Sequence, residues 1–262
     1  MVETESAEAS GEPSRLPEVR EISFAAPLGW LSAAWTDLRE TRYRGAFYGV
    51  LFMAMGFAIA VIYATRWQLT LALVAGFFLM GPFVCAGIYE LSRQRSRGEP
   101  TDLGASLTCW RRNLGSIAFF AAILTFLMVI WARVSVVMFA LLSTSSLPTL
   151  KGMVAQIFSL ANPEFLLIWG GVGLVFATLV FAMSVVAVPL MLDRKADTMI
   201  SIITSARALL ANLGPMLFWA ALIVVLIGAS LLLWFVPLVL TAPLVGHATW
   251  HAYLELVEPA KA

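Results

Sequence analysis

The sequence predicts an all-α, polytopic membrane protein with six transmembrane helices and three amphipathic helices at the cytoplasmic interface. Three observations carry that prediction: the composition, the length of the uncharged runs, and the placement of the basic residues. Of 262 residues, 60% are hydrophobic and only 13% are charged, and mean hydropathy is +0.87. An average soluble domain carries roughly 25% charged residues, so a soluble fold could not hide this much apolar surface.

From Trp67 to Tyr89 no side chain is charged, and a helix of about 18 or more such residues crosses a ~30 Å hydrocarbon layer. Similar runs at 46–64, 115–137, 164–189, 214–233 and 237–257 complete the six. The last two runs merge into one apolar stretch that is roughly twice too long for a single span at 1.5 Å per residue. A turn near Trp234 to Pro237 divides it, with Pro237 suited to the first turn of the final helix. Asn162-Pro163-Glu164 makes a helix start for the fourth span: a capping side chain, a proline in the first turn, and an acid at the positive end of the dipole.

Fourteen of the 17 basic residues fall on one side of those spans. Arg39, Arg42 and Arg44 precede the first, Arg93, Arg95, Arg97, Arg111 and Arg112 lie between the second and third, and Arg194, Lys195 and Arg207 lie between the fourth and fifth. The positive-inside rule then puts both termini in the cytoplasm of a bacterial inner-membrane protein. Residues 1–25 read as a disordered acidic tail, with Glu3, Glu5, Glu8, Glu12, Glu18 and Glu21 beside Pro13 and Pro17. Residues 26–258 read as one membrane domain.

Three segments have helical spacing but are too polar to span: Leu28, Leu31, Trp35 and Leu38; Leu103, Leu107, Trp110 and Leu114; Met199, Ile202, Ala206, Leu209 and Leu213. A narrow apolar stripe flanked by arginine fits a helix lying in the membrane interface. Each precedes an odd-numbered span. The even-numbered spans each contain a proline, at Pro82, Pro189 and Pro243. The order suggests three parallel two-helix repeats, at about 27–95, 100–195 and 196–257.

When those prolines are superposed, Glu90, Asp193, Asp197, His247 and His251 fall near the cytoplasmic ends of the returning helices. They form the candidate polar cluster. His247 and His251 stand one helical turn apart, which is metal-ligand spacing but a weak signal, and polar residues at helix ends also reach water and headgroups. The reading therefore assigns no cofactor and no metal. Cys85 and Cys109 are too few for a disulfide framework.

Gly81-Pro82 through Tyr89-Glu90-Leu91-Ser92-Arg93, Pro189 through Asp193-Arg194, Gly214-Pro215-Met216 and the closing Gly246-His247-Ala248-Thr249-Trp250-His251 resemble an uncharacterised bacterial family of predicted integral membrane proteins. Some of its members carry a cytochrome c oxidase label, so the resemblance implies a respiratory association. Haem-copper chemistry, however, needs more histidines than the two present. No catalytic motif and no nucleic-acid signature stands in the chain. The sequence reading is a non-enzymatic protein that accompanies or helps assemble a larger membrane complex, respiratory by resemblance. Its alternatives are a small-solute carrier or channel, whose layout of three two-helix units resembles that of mitochondrial carriers, and a metal- or haem-binding membrane protein.

Overall fold

The computed structural model describes residues 16–66, 69–142 and 162–259. The loop segment Leu150 to Phe158, whose apolar spacing in sequence suits a short surface helix, the tryptophan at position 67 and residues 1–15 of the expected tail lie outside that range. All named elements are helices: α1 (Ala26–Thr41), α2 (Tyr43–Arg66), α3 (Thr70–Ser96), α4 (Leu103–Thr108), α5 (Leu114–Leu142), α6 (Pro163–Ser184), α7 (Ala187–Arg194), α8 (Thr198–Ala211), α9 (Leu213–Leu232) and α10 (Leu238–Leu256). A 3-10 turn, Cys109–Asn113, joins α4 to α5.

Local chemistry sets the boundaries. Asp102, Asn162 and Asp197 cap α4, α6 and α8, accepting from the amides of Gly104, Phe165 and Met199 at 2.8, 3.1 and 2.8 Å. Arg42 at φ 47° and Lys195 at φ 52° adopt left-handed backbone between helices. Trp234 and Phe235, both at positive φ, make the turn expected between the last two apolar runs.

Five helical stretches among the described residues are long and apolar enough to cross a membrane: Tyr43–Arg66, Val74–Ser96, Leu103–Leu142, Pro163–Arg194 and Leu213–Leu232. The sixth expected span corresponds to α10, which falls outside that set. Its last turns carry His247, Thr249, His251 and Glu255, which lower its hydropathy, and its second half is mostly buried among other helices.

α10 packs against α1, α2, α3 and α9. Glycines permit close crossings: a Cβ on Gly49 would meet the Val239 backbone at 2.0 Å, one on Gly87 the Tyr48 hydroxyl at 2.2 Å, and one on Gly246 the Ile88 side chain at 2.7 Å. By contrast Gly76, Gly81, Gly170 and Gly171 face open space. Small residues in an apolar run are thus an ambiguous sign of contact.

The proline-bearing helices occupy the middle. α3 packs on α4 and α5, the α6–α7 pair on α8, and α10 on α1 and α2, while α3, α7 and α10 also touch one another. Two asparagines close the corners between units. Asn113 donates to the carbonyls of Met191 and Ala196 at 3.1 and 2.9 Å. Asn212 donates to the Arg20 carbonyl at 3.0 Å and accepts from the Ile22 amide at 2.8 Å. Residues 16–25, assigned to a disordered tail from sequence, are thereby ordered; they also pair with the C-terminal end through Arg20 N–H to Leu256 O at 2.8 Å and Glu258 N–H to Glu18 O at 3.0 Å.

α1, α4 and α8 are the three expected amphipathic segments, and their apolar stripes are split: Leu38 and Leu209 are buried, while other members face outward. Leu28, Trp35, Leu107, Met199 and Leu213 are all exposed. The faces packed inward mix apolar and polar residues: Trp30, Ala34, Asp37, Leu38 and Thr41 on α1, and Ser201, Thr204, Ser205, Ala208 and Leu209 on α8. Trp30 is buried against Trp219 in an edge-on contact at 5.7 Å.

Candidate functional site: an ion-pair hub at the end of helix α3

The last turns of α3 read Glu90-Leu91-Ser92-Arg93-Gln94-Arg95-Ser96-Arg97. An α-helix turns about 100° per residue, so successive polar residues radiate towards different neighbours. Each of three acidic centres around this end takes at least one α3 arginine.

The first centre is Asp37 of α1. Its Oδ2 accepts from the Ser92 hydroxyl at 2.6 Å and contacts His251 Nε2 at 3.0 Å. Its Oδ1 accepts from Arg95 Nε at 2.8 Å, and the Arg95 guanidinium also pairs with Glu40. Ser92 Oγ lies 2.6 Å from His247 Nδ1 as well. Burial disfavours the charge on Asp37, but hydrogen bonds from His251 and Ser92 and the fields of both histidines outweigh it and hold the carboxyl below its ordinary value.

The second centre is Glu90, which is fully buried. Arg93 grips it at 2.6 and 2.7 Å and Arg112 at 2.8 and 2.9 Å. Both pairs are two-pronged, the geometry in which a guanidinium best satisfies a carboxylate. Gln94 adds a bond to Glu90 at 3.3 Å and accepts from the Asp102 amide at 2.8 Å, tying α4 to the same point.

The third centre is Asp193 of α7, which accepts from Arg97 at 2.9 Å and from the Tyr253 hydroxyl at 2.9 Å. Arg194 donates to the same Tyr253 oxygen at 3.0 Å and bonds the Glu258 carbonyl.

The five residues singled out from sequence thus do not share one site. Glu90 and Asp193 anchor separate centres, His247 and His251 flank the centre at Asp37, and Asp197 is the cap of α8. Sequence reasoning missed Asp37, Ser92, Arg93, Arg95 and Arg112 as partners. A signal for Asp37 existed: Trp30, Ala34, Asp37 and Thr41 recur at three to four residues, the spacing of one helical face. Among the described residues no group of three or more His, Cys, Asp or Glu side chains could hold a metal. Cys109 is buried in the 3-10 turn, away from the histidines.

Beyond the hub, two partly open cavities lie between the helices. A cavity of about 480 Å³ lies between α2, α3, α9 and α10, lined by Phe52, Phe77, Ile227, Phe235 and Val245 among others. A second, of about 230 Å³, lies among α3, α5, α6, α7, α9 and α10 beside Pro82 and Trp219. Cys85, Tyr89 and Thr249 line both. The floor of the larger cavity includes Tyr89 and Gly246, each the chain neighbour of a hub residue, Glu90 and His247.

Residues 69–193 match the family model described as predicted integral membrane protein (DUF2189). The chain is an integral membrane protein. That description assigns no function and mentions no oxidase. The matched segment runs from the start of α3 to Asp193, so it holds Glu90, Arg93 and Arg112 but neither Asp37 nor the two histidines. The Gly246 to His251 segment, the most specific part of the resemblance seen in sequence, lies beyond it. No curated protein and no solved structure matches the chain.

Proposed function

We propose that this protein is a six-span carrier of apolar small molecules in a bacterial inner membrane, with the hub as its cytoplasmic gate. The observation that carries the reading is the cavity of about 480 Å³ whose lining residues Tyr89 and Gly246 are the chain neighbours of the hub residues Glu90 and His247. A carrier needs a site in the membrane and a barrier on one side of it that can open. Buried pairs suit such a barrier because they are specific in geometry yet yield little net stability against water-solvated partners.

Three further features support the reading. The chain of packing from α3 to α4 and α5, from α6–α7 to α8, and from α10 to α1 and α2 is what three repeats related by rotation would produce. The two asparagine clamps recur at equivalent corners. Fourteen of the 17 basic residues fall outside the spans on one side in sequence, which orients the hub side to the cytoplasm, where the exposed Leu28, Trp35, Leu107 and Met199 rest in the interface. The mostly apolar lining selects the solute class, and the accessory-subunit reading leaves the cavity without a role.

The test is native mass spectrometry of the protein released from its own membrane in lipid discs. The reading expects about one small apolar molecule bound per chain, lost in Ala242→Phe, which fills the cavity without touching the hub. An empty wild type, or equal loading of a folded Ala242→Phe variant, overturns it.

A further inference from the structure

His247 is fully buried, and its Nε2 has no hydrogen-bond partner. Its other nitrogen shares Ser92 with Asp37. A serine hydroxyl has one proton. Asp37, held ionised, can only accept, so the Ser92 proton points to Asp37 Oδ2. His247 Nδ1 must then be the donor to Ser92 Oγ, and Nε2 carries a bare lone pair. Either tautomer would leave Nε2 without a partner. Gly45 stands opposite Nε2: a Cβ there would lie 3.5 Å from Nε2 and 2.8 Å from Thr41 Oγ1, so only glycine leaves this side of the ring open.

We infer that His247, Ser92 and Asp37 form a proton-binding site in which a proton taken up at His247 Nε2 is held on Asp37. This rests on the carrier reading, for which it supplies the coupling ion. The transfer is balanced. A proton adds to Nε2, the Nδ1 proton passes to Ser92 Oγ, and the Ser92 proton passes to Asp37 Oδ2. His247 ends neutral with Nε2–H, Ser92 is unchanged in composition, and Asp37 is a neutral acid. Transfer needs donors and acceptors within about 2.6 to 3.2 Å, and both links measure 2.6 Å.

The consequence falls on the gate. The groups facing this site are Asp37 and Glu40 from α1, Ser92 and Arg95 from α3, His251 from α10 and the bare backbone of Gly45 from α2. Neutral Asp37 no longer attracts Arg95 and His251, so the clasp joining α1, α3 and α10 loosens. The same contacts that keep Asp37 ionised make the closed form bind the proton weakly. By linkage the proton binds more tightly to a form in which those contacts are broken, and loading therefore favours opening. His251, 3.0 Å from Asp37 Oδ2, also lines a pocket of about 410 Å³ with Arg20, Trp30 and Glu255, so one side chain separates Asp37 from that pocket.

The chain has only two histidines, so nitrogen NMR of ¹⁵N-histidine protein in lipid discs reads the site directly, with difference infrared spectroscopy for the carboxyl. The inference expects His247 as the Nδ1–H tautomer at neutral pH. Acidification should convert it to Nε2–H as a protonated-carboxyl band appears that Asp37→Asn lacks. Ser92→Ala should abolish the conversion and Ser92→Thr, which keeps the hydroxyl, should restore it. An Nε2–H tautomer at neutral pH overturns the inference, as does a ring that becomes imidazolium with no carboxyl band, or conversion that persists in Ser92→Ala. These outcomes are independent of whether a solute occupies the cavity.

Discussion

The two halves of α3 differ more from each other than α3 differs from its neighbours. From Ala86 to Gln94 every residue is buried, and the polar ones are saturated with partners. Before Ala86, Leu79 and Met80 are exposed, Gly76 and Gly81 meet nothing, and Phe77 and Cys85 line cavities. In a soluble protein the apolar part would be the tight part, because water drives apolar surfaces together. In a bilayer the lipid tails are as apolar as leucine, so apolar helix faces gain little by closing up. Buried polar groups, left unpaired, would cost several kcal/mol each. The dense half of this bundle is therefore its polar half.

The sharpest way to break the contrast is at Glu90. Glu90→Gln leaves Arg93 and Arg112 around a neutral side chain, and cutting one partner from a buried pair costs about 3 to 5 kcal/mol. A large fall in thermal midpoint in detergent is expected, with Arg112→Gln less severe because Arg112 is partly exposed. Next is Gly87→Ala, whose Cβ would stand 2.2 Å from the Tyr48 hydroxyl and displace its 2.8 Å bond to Ser106. A loss of about 1 to 3 kcal/mol is expected for such overpacking. Gly76→Ala on the same helix meets nothing and should be neutral or stabilising by up to about 1 kcal/mol, since alanine is the better helix former. The pair, compared by thermal unfolding, measures the two halves with one substitution.

The smallest effect concerns pH. Because the Asp37 carboxyl is held below its ordinary value of 3.8, it contributes stability that is fully present above about pH 4. That contribution fades as pH falls through the folded-state value. Asp37→Asn should flatten the acid limb of the thermal midpoint against pH, and an unchanged limb would show that Asp37 has no part in it.

Much of the fold was legible because lipid imposes lengths and charge sidedness on a sequence. The turn at Trp234, the cap at Asn162 and the surface segments before α2, α5 and α9 all stand where local patterns put them. The site was legible only in part. Superposing Pro82, Pro189 and Pro243 found acids and histidines at one end, since a helix carries side chains to a common depth. It could not show that Glu90 points to the 3-10 turn before α5 while Ser92 points to α1 and α10. Nor did Leu28 and Trp35, the exposed members of the α1 stripe, point to Asp37, which lies on the buried face with Trp30, Ala34 and Leu38. α10 shows the same limit: its composition is a compromise between crossing lipid and carrying the two histidines.

The most direct measurement of the central claim, an apolar half with cavities closed by a polar gate, uses Cys85, which lines both cavities. With Cys109 replaced by alanine, a small charged thiol reagent is applied to right-side-out and inside-out membrane vesicles. The account predicts that Cys85 is labelled from the outer side and spared from the basic side, and that Arg112→Gln, which weakens the gate while the chain still folds, opens it to the basic side at least tenfold. Labelling of wild-type Cys85 equally from both sides, or no change in the folded Arg112→Gln variant, would contradict it.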